Sequence, residues 1–206
     1  AFDYSLTDDR PQLEVPVAHR LLVDSKPDTV SFEGYLRPDT YRFTVGSTAE
    51  DIFQRLIKER DYQLDSVYRE IRKTEYTPHQ IFTMASIIER EVRSREDKRM
   101  VADIFWKRYK AGMGLQADST VHYASGKTGD VFTSNEDRAS KNLWNTYEYP
   151  GLPPGPIAIP GLASIDAAIH PTPNDYWYFL TTLDTGEVHY ARTLQEHNAN
   201  VRKYLR

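Results

Sequence analysis

The chain has no cysteine, which excludes disulfide bonds, thiolate metal ligands and a cysteine nucleophile. It also has no excess of positive charge. The formal net charge is -4, whereas binding to nucleic acid needs a clustered basic surface, so we predict no nucleic-acid partner. No run of 18 apolar residues and no signal peptide is visible, so the sequence predicts no membrane-spanning segment. The chain begins with Ala1 rather than Met, and we expect it to be the soluble portion of a longer protein.

The motifs of several enzyme classes are missing as well. There is no HExxH zinc helix, no GxSxG nucleophile elbow, no phosphate-binding loop and no GxGxxG dinucleotide fingerprint. The six histidines are dispersed along the chain rather than clustered. The sequence therefore predicts neither a metal nor a cofactor.

What the chain does contain is typical of a folded domain with many aromatic side chains. Hydrophobic residues make up 39%, and the 27% of charged residues are mixed in sign, which argues against a disordered chain. The 14 tyrosines and 3 tryptophans include side chains that pack in a core. Aromatic faces also stack on sugars and on bases, and without a basic surface carbohydrate is the favoured partner.

The first half of the chain predicts mostly helices. Short β-like apolar runs occur at 13–17 and 20–23, and the aromatic segment 31–43 predicts a bent loop or short strand. A first helix is expected from a capping box of Ser47 and Glu50, and a separate helix at 64–73. The strongest pattern has Thr77 as N-cap, then Pro78, then a buried stripe of Ile81, Met84, Ala85, Ile88 and Val92. Ser94 and Asp97 predict the cap of the next helix.

The second half predicts a long irregular stretch followed by regular elements. Residues 115–161 are rich in glycine and proline and show little periodicity, which in a compact domain usually marks a functional segment. A short helix is predicted at 162–169, a β-hairpin at 177–183 and 187–191, and a last helix capped by Thr193 with Glu196. The fold class predicted is α+β: a helix-rich domain with a C-terminal β-hairpin.

Glu89 is the strongest candidate for acid/base chemistry. It borders the buried stripe of the predicted helix, so its carboxyl is partly desolvated, which raises the pKa of a carboxylic acid. The alternative is an ordinary boundary glutamate paired with Arg93 at i+4. Glu91 is expected to point more toward solvent and is the weaker candidate. A two-carboxylate glycosidase needs a second acid, for which the candidates by residue type alone are Asp118, Asp130 and Asp166.

The segment 149–157 reads Tyr-Pro-Gly-Leu-Pro-Pro-Gly-Pro-Ile. Successive prolines fix φ and remove backbone donors, so this segment predicts a rigid, extended wall. The flanking Trp144, Asn145, Tyr147 and Tyr149 are suited to line a groove with stacking and hydrogen-bonding groups. A purely structural loop is the alternative that the residues leave open.

Several stretches together resemble the YceG-like family of endolytic murein (peptidoglycan) transglycosylases. They occur in the family's order and span 31–206. They are EGYLRPDTYRF at 33–43, MASIIEREV at 84–92, GLQADSTVHYASG at 114–126, NTYEYPGLPPGPIAIPG at 145–161, AAIHP at 167–171, the predicted hairpin, and EHN at 196–198. The sequence departs from the family's pattern at Ser119, where proline is usual, and at Arg37, where an aromatic residue is usual.

The resemblance implies a domain organisation and a location. Family members carry a LysM-like subdomain before the catalytic domain, so residues 1–30 are expected to be a lead-in or remnant of it and 31–206 the YceG-like catalytic domain. They act at the outer face of the bacterial cytoplasmic membrane, held by an N-terminal anchor, which we expect to be missing from the residues of this chain. The partners implied are peptidoglycan glycan strands and the machinery of cell-wall synthesis.

The resemblance also places the family's catalytic glutamate on Glu89 and implies lytic cleavage of the MurNAc–GlcNAc β-1,4 bond to 1,6-anhydroMurNAc ends. One carboxyl suffices, acting as acid and then as base. A non-catalytic peptidoglycan-binding module and a water-using muramidase are the alternatives. By position and chemistry, Gln116, Asn145 and Thr146 are expected to hydrogen-bond the substrate, Tyr123 and Tyr147 to stack on sugars or orient Glu89, and Pro153, Pro154 and Gly155 to shape the groove.

Overall fold

The first ordered elements are short helical turns. The computed structural model describes residues 14–126 and 134–205, and it begins with a 3-10 helix, Val17–His19, followed by α1, Arg20–Val23. The prediction of β structure at 20–23 was therefore wrong. A short apolar run does not by itself distinguish a strand from a buried helical turn, and here Leu22 is buried in the core from α1. Residues 31–43 form a loop with turns, which agrees with the prediction of a bent loop and not with the alternative of a short strand.

Helix α2, Ala49–Ile71, is one uninterrupted helix. Its N-cap is Thr48, which forms a capping box with Asp51, one residue after the predicted pair. The predicted boundary before residue 64 does not exist, because one buried stripe continues through it. That stripe comprises Phe53, Ile57, Leu64, Tyr68 and Ile71.

The centre of the domain is a packed trio of helices: α3, Pro78–Glu91, α4, Arg95–Lys110, and α7, Leu162–Ile169. Thr77 caps α3 as predicted, and the structure adds a capping box with Gln80. The Ser94 side chain accepts a hydrogen bond from the Asp97 N–H, also as predicted. Helix α3 is buried over eight consecutive residues, 81–88. It is therefore the core helix against which the others pack.

The remaining elements frame this trio. Two short helices, α5, Asp118–Ser125, and α6, Asn135–Arg138, lie in the stretch that showed little periodicity and were not predicted. Strands β1, Tyr178–Thr181, and β2, Val188–Ala191, pair antiparallel with Tyr178 opposite Ala191, and α8, Leu194–Tyr204, packs on them. The predicted α+β class with a C-terminal hairpin is confirmed. Among the described residues, none of the helices combines the length and apolar character that crossing a bilayer requires.

Candidate active site

Glu89 lies in the last turn of α3 with a side chain that is 32% exposed. Three donors converge on one of its carboxylate oxygens, Oε2. The Ser164 hydroxyl donates at 2.5 Å, the Lys98 ammonium at 3.1 Å and the Gly161 N–H at 3.2 Å. Across residues 14–126 and 134–205, no donor reaches the other oxygen, Oε1. The carboxylate is thus held by one oxygen while the other is available to a ligand.

The donors come from two helices that pack against α3. Lys98 lies on α4 with a side chain that is only 8% exposed. Gly161 is the N-cap of α7, and Ser164, which is fully buried, lies in its first turn. The unpaired N–H groups and partial positive charge at the start of a helix favour a carboxylate there. Packing of α4 and α7 on α3 therefore fixes the position of the Glu89 carboxylate.

This environment lowers the pKa of Glu89. Burial alone raises it, but the hydrogen bonds from Ser164, Lys98 and Gly161, together with the charge of Lys98, outweigh burial. The expectation of a raised pKa was wrong because it considered desolvation and not the donors that other helices bring. The ion-pair partner of Glu89 is Lys98 rather than Arg93. In the ligand-free protein, Glu89 is a carboxylate at neutral pH.

The Gly/Pro segment runs along α3 and ends at Glu89. The His79 ring nitrogen Nε2 hydrogen-bonds the Pro154 carbonyl at 2.9 Å, Ser86 Oγ accepts from the Ile157 N–H at 3.0 Å, and Glu89 accepts from the Gly161 N–H. His79, Ser86 and Glu89 are spaced to lie on one helix face. The predicted wall, through Pro154 and Ile157, therefore packs along α3, and the chain that follows it reaches the Glu89 carboxylate at Gly161.

The three wall residues named from the sequence differ in exposure. Pro153 and Gly155 are buried, while Pro154 is half-buried. Gly155 packs so tightly that an added Cβ would lie 2.4 Å from Val30 Cγ1. Glycine at this position leaves the space that the Val30 side chain fills, so the wall packs closely on the loop that contains Val30.

Asn145 and Thr146 are engaged within the protein. Asn145 is fully buried and its amide donates to the carbonyls of Arg138 and Ser140 at 2.9 and 2.8 Å. Thr146 is also buried, and its hydroxyl accepts from the Ala117 N–H at 3.1 Å. These contacts hold the loop that precedes the wall.

The two tyrosines make hydrogen bonds to carboxylates other than Glu89. The Tyr123 hydroxyl donates to Glu33 at 2.7 Å, and its ring lies 5.9 Å from that of Trp144. The Tyr147 hydroxyl donates to Asp118 at 2.8 Å. Burial raises the pKa of Tyr147, so its hydroxyl stays protonated. The groups that orient Glu89 in this structure are Ser164, Lys98 and Gly161 instead.

Gln116 combines exposure with an unusual backbone conformation. Its φ is +52°, in the left-handed region that non-glycine residues seldom adopt, and its N–H donates to the Thr146 carbonyl at 3.1 Å. Its side chain is exposed. A residue held in this region by its surroundings is a feature often found at ligand sites, and its side chain is free to meet a substrate.

The other acids are placed differently from Glu89. Glu91 was expected to face solvent, but burial raises the pKa of its carboxyl despite hydrogen bonds from the Ser119 hydroxyl and N–H at 2.6 and 3.3 Å. Asp166 forms an ion pair with Arg99 at 2.7 Å. Asp130 lies outside the described residues. In the part of the chain that the structure describes, no cluster of acids and histidines is arranged to hold a metal ion.

Three residues that contact Glu89 were not predicted as site residues: Lys98, Gly161 and Ser164. A signal for Lys98 was present, because it falls on the buried stripe of α4 with Val101, Ala102 and Phe105 at i+3, i+4 and i+7. A lysine at such a position needs a buried partner. No comparable pattern marks Gly161 or Ser164, since their contact with Glu89 depends on how α7 packs.

Comparison with known proteins gives consistent matches over most of the chain. The chain is 40% identical over 191 residues to an endolytic murein transglycosylase of Bacillus subtilis (strain 168), covering 87% of this chain and 52% of that protein. It is 33% identical over 177 residues to an endolytic murein transglycosylase of Streptococcus pneumoniae serotype 2 (strain D39 / NCTC 7466), covering 84% of this chain and 32% of that protein. The chain thus spans about half or less of the length of these curated relatives.

A solved structure and a family model agree with these relatives. The crystal structure of a YceG-like protein from Listeria monocytogenes superimposes with a TM-score of 0.78 at 37% identity, covering 87% of this chain and 58% of that one. The model of the YceG-like family matches residues 7–203. With its ASIIE element on α3 and its Gly/Pro segment hydrogen-bonded along the same helix, the chain belongs to the YceG-like family.

Proposed function

We propose that this chain is the catalytic part of a peptidoglycan lytic transglycosylase of the endolytic type, with Glu89 as acid and then base. The observation that carries the proposal is the Glu89 carboxylate, held through Oε2 by three donors while Oε1 has no donor among the described residues. The names of the relatives support the substrate class, since both curated relatives are endolytic murein transglycosylases.

The reaction needs one carboxyl group and no water. Protonated Glu89 donates to the oxygen that joins C1 of MurNAc to GlcNAc, and the C1–O bond breaks as positive charge develops at C1. The Glu89 carboxylate then accepts the proton from the C6 hydroxyl of the same MurNAc, whose oxygen bonds to C1. The product is a 1,6-anhydroMurNAc end, and Glu89 regains its proton. The intramolecular attack benefits from proximity.

The lowered pKa of Glu89 in the ligand-free protein suits the second step directly, because a carboxylate is the base. For the first step Glu89 has to be protonated. A glycan strand that covers its exposed side removes water, and loss of water disfavours the charged form. Proton uptake on binding is therefore part of the proposal.

The wall and Gln116 supply the substrate-binding surface in this account. The segment 154–161 borders Glu89 along α3, and the exposed Gln116 side chain is proposed to hydrogen-bond the glycan. Tyr123, beside Trp144, is proposed to stack on a sugar. The tight internal contacts of Asn145 and Thr146 favour a role in holding this surface. Action outside the cytoplasmic membrane, attachment to it and association with wall synthesis belong to the same proposal.

Digestion of purified sacculi by the chain, followed by mass spectrometry of the released fragments, tests the activity. Anhydro-ended fragments are the expected result. Reducing ends would show a water-using muramidase, and binding to sacculi without release would show a peptidoglycan-binding module. Either of these outcomes would overturn the proposal.

A further inference from the structure

Arg60 of α2 is fully buried, and its guanidinium binds backbone carbonyls. One of its terminal nitrogens, Nη2, donates to the Pro160 carbonyl at 2.7 Å and lies 3.5 Å from the Gly34 carbonyl. The other, Nη1, donates to the Gln63 side chain at 2.7 Å. No ion pair formed within residues 14–126 and 134–205 includes Arg60, and its Nε has no hydrogen-bond partner there.

Burial of a guanidinium that has no carboxylate partner is unfavourable, because the charge loses its hydration without gaining a counter-charge. Burial lowers the pKa of Arg60 to about 10, which reflects the cost of keeping its charge away from water. Leucine or methionine would pack at this position of the α2 stripe without that cost. An arginine at this position therefore suggests a function for its charge at the Pro160 carbonyl, the one that it contacts most closely.

That carbonyl belongs to the peptide unit that binds Glu89. The Pro160 C=O and the Gly161 N–H are the two ends of one planar amide. Arg60 donates to the oxygen at 2.7 Å, and the N–H donates to Glu89 Oε2 at 3.2 Å. A cationic donor on the oxygen polarises the amide and makes its N–H a stronger donor, because successive hydrogen bonds reinforce one another. Charge on α2 is thus transmitted to a carboxylate on α3.

We propose that Arg60 is a positioning residue for Glu89, acting through the Pro160–Gly161 peptide, which it both fixes and polarises. The inference rests on the proposed role of Glu89 and extends it to a residue of another helix that does not touch the carboxylate. Its two consequences are a fixed direction for the Glu89 side chain and a preference for its ionised form.

Replacement of Arg60 separates this role from simple packing. Arg60→Met keeps a long apolar side chain and removes the charge and donors, while Arg60→Lys keeps the charge with one donor group. Tyr68→Phe is the control, because it removes a side-chain hydrogen bond within α2, from the Tyr68 hydroxyl to Asp61 at 2.7 Å, and leaves the Arg60–Pro160 contact in place. The Glu89 pKa is read by carboxyl-carbon NMR titration, assigned by the signal that Glu89→Gln loses, and kcat and KM are measured on sacculi.

For Arg60→Met we expect a higher Glu89 pKa and a fall in kcat of at least about tenfold with a smaller change in KM. Arg60→Lys should show the same changes in smaller size, and Tyr68→Phe neither. An unchanged Glu89 pKa in Arg60→Met would overturn the inference, and if that variant does not fold, an unchanged pKa in Arg60→Gln, which removes the charge and keeps an amide donor, overturns it instead. The titration needs no turnover, so an unchanged pKa overturns only the role of Arg60. The proposed function itself would be overturned by a different result, namely retained activity of the Glu89→Gln variant.

Discussion

The Lys98 ammonium lies 3.1 Å from Glu89 Oε2 and is itself almost completely shielded from water. A buried ammonium group needs a partner for its charge, and the partner here is the carboxylate proposed to do the chemistry. The pair contributes to the proton affinity of the site, since with the Ser164 and Gly161 hydrogen bonds it lowers the pKa of Glu89. It also links α3 to α4, so the same contact bears on the proposed chemistry and on the packing of the two helices.

Removal of the Lys98 charge should move the pH dependence of cleavage. The acid step needs protonated Glu89, so kcat/KM falls as the pH rises through the pKa of Glu89 in the free enzyme. Lys98→Met removes a cation that lowers this pKa. We therefore expect the alkaline fall of kcat/KM to shift to higher pH in Lys98→Met, measured as anhydro-end release at a series of pH values.

Lys98→Arg provides the control for this shift, because it retains a cation at the same position. Its pH profile should stay close to that of the wild type even where the rate is reduced. A Lys98→Met profile that coincides with the wild type, or moves to lower pH, would show that Lys98 does not govern the protonation of Glu89.

The Lys98–Glu89 pair also predicts a pattern of stabilities. Glu89→Gln leaves a shielded ammonium without a counter-charge, and we expect it to lower the free energy of unfolding by about 1–3 kcal/mol. The double variant Glu89→Gln/Lys98→Met removes that uncompensated charge and should recover part of the loss, without recovering activity. Urea denaturation of the two single variants and the double variant measures this coupling. Additive losses would contradict it.

The close packing of the wall on Val30 can be tested by enlarging one residue of the contact, Gly155, and reducing the other, Val30. Gly155→Ala places a methyl group 2.4 Å from Val30 Cγ1, and such overpacking should cost about 1–3 kcal/mol of stability. Val30→Ala makes room at the same point, so the double variant should be less destabilised than the sum of the single variants. Thermal and urea unfolding of all three variants provide the test. Strict additivity would mean that the two residues do not meet.

Glu91 predicts a dependence of stability on pH that is distinct from that of Glu89. Its pKa is raised in the folded protein by burial, so the folded state holds this proton more tightly than the unfolded chain. The resulting stabilisation is complete below the ordinary pKa of 4.5 and is lost as the pH rises through the folded-state value. The stability of the wild type relative to Glu91→Gln should therefore fall between pH 4.5 and neutrality. Urea titrations along this range would contradict the prediction if the difference stayed constant.

The helices of the core were predictable from their N-cap residues and from their stripes of apolar residues. Thr77 followed by Pro78, Ser94 with Asp97, and Thr193 with Glu196 are local signals, and the structure uses each of them. Helix α5 escaped prediction because its N-cap, Ala117, makes no side-chain cap hydrogen bond and its eight residues are mostly polar or small, unlike those of the equally short, apolar α7. Local signals also misled at 20–23, where tertiary burial of Leu22 decided the conformation.

The site was predictable in part for a related reason. Glu89 was identified from its place at the edge of a buried stripe and from the resemblance to the YceG-like family, and the wall from its prolines and glycines. The direction in which the pKa of Glu89 shifts was not predictable from the sequence. It depends on Lys98, Gly161 and Ser164, which reach the carboxylate only after α4 and α7 have packed on α3. The pKa of Glu89 is therefore determined by the packing of three helices and not by the sequence around the residue.

The most direct test of the account is the release of anhydro-ended fragments from purified sacculi by Glu89→Gln, compared with the wild-type chain at equal concentration. Glutamine keeps an acceptor oxygen for Ser164 and Gly161 but carries no titratable proton, so we predict a fall in rate of at least about 100-fold with a cooperative unfolding transition retained. A Glu89→Gln variant that releases these fragments at the wild-type rate would contradict the account.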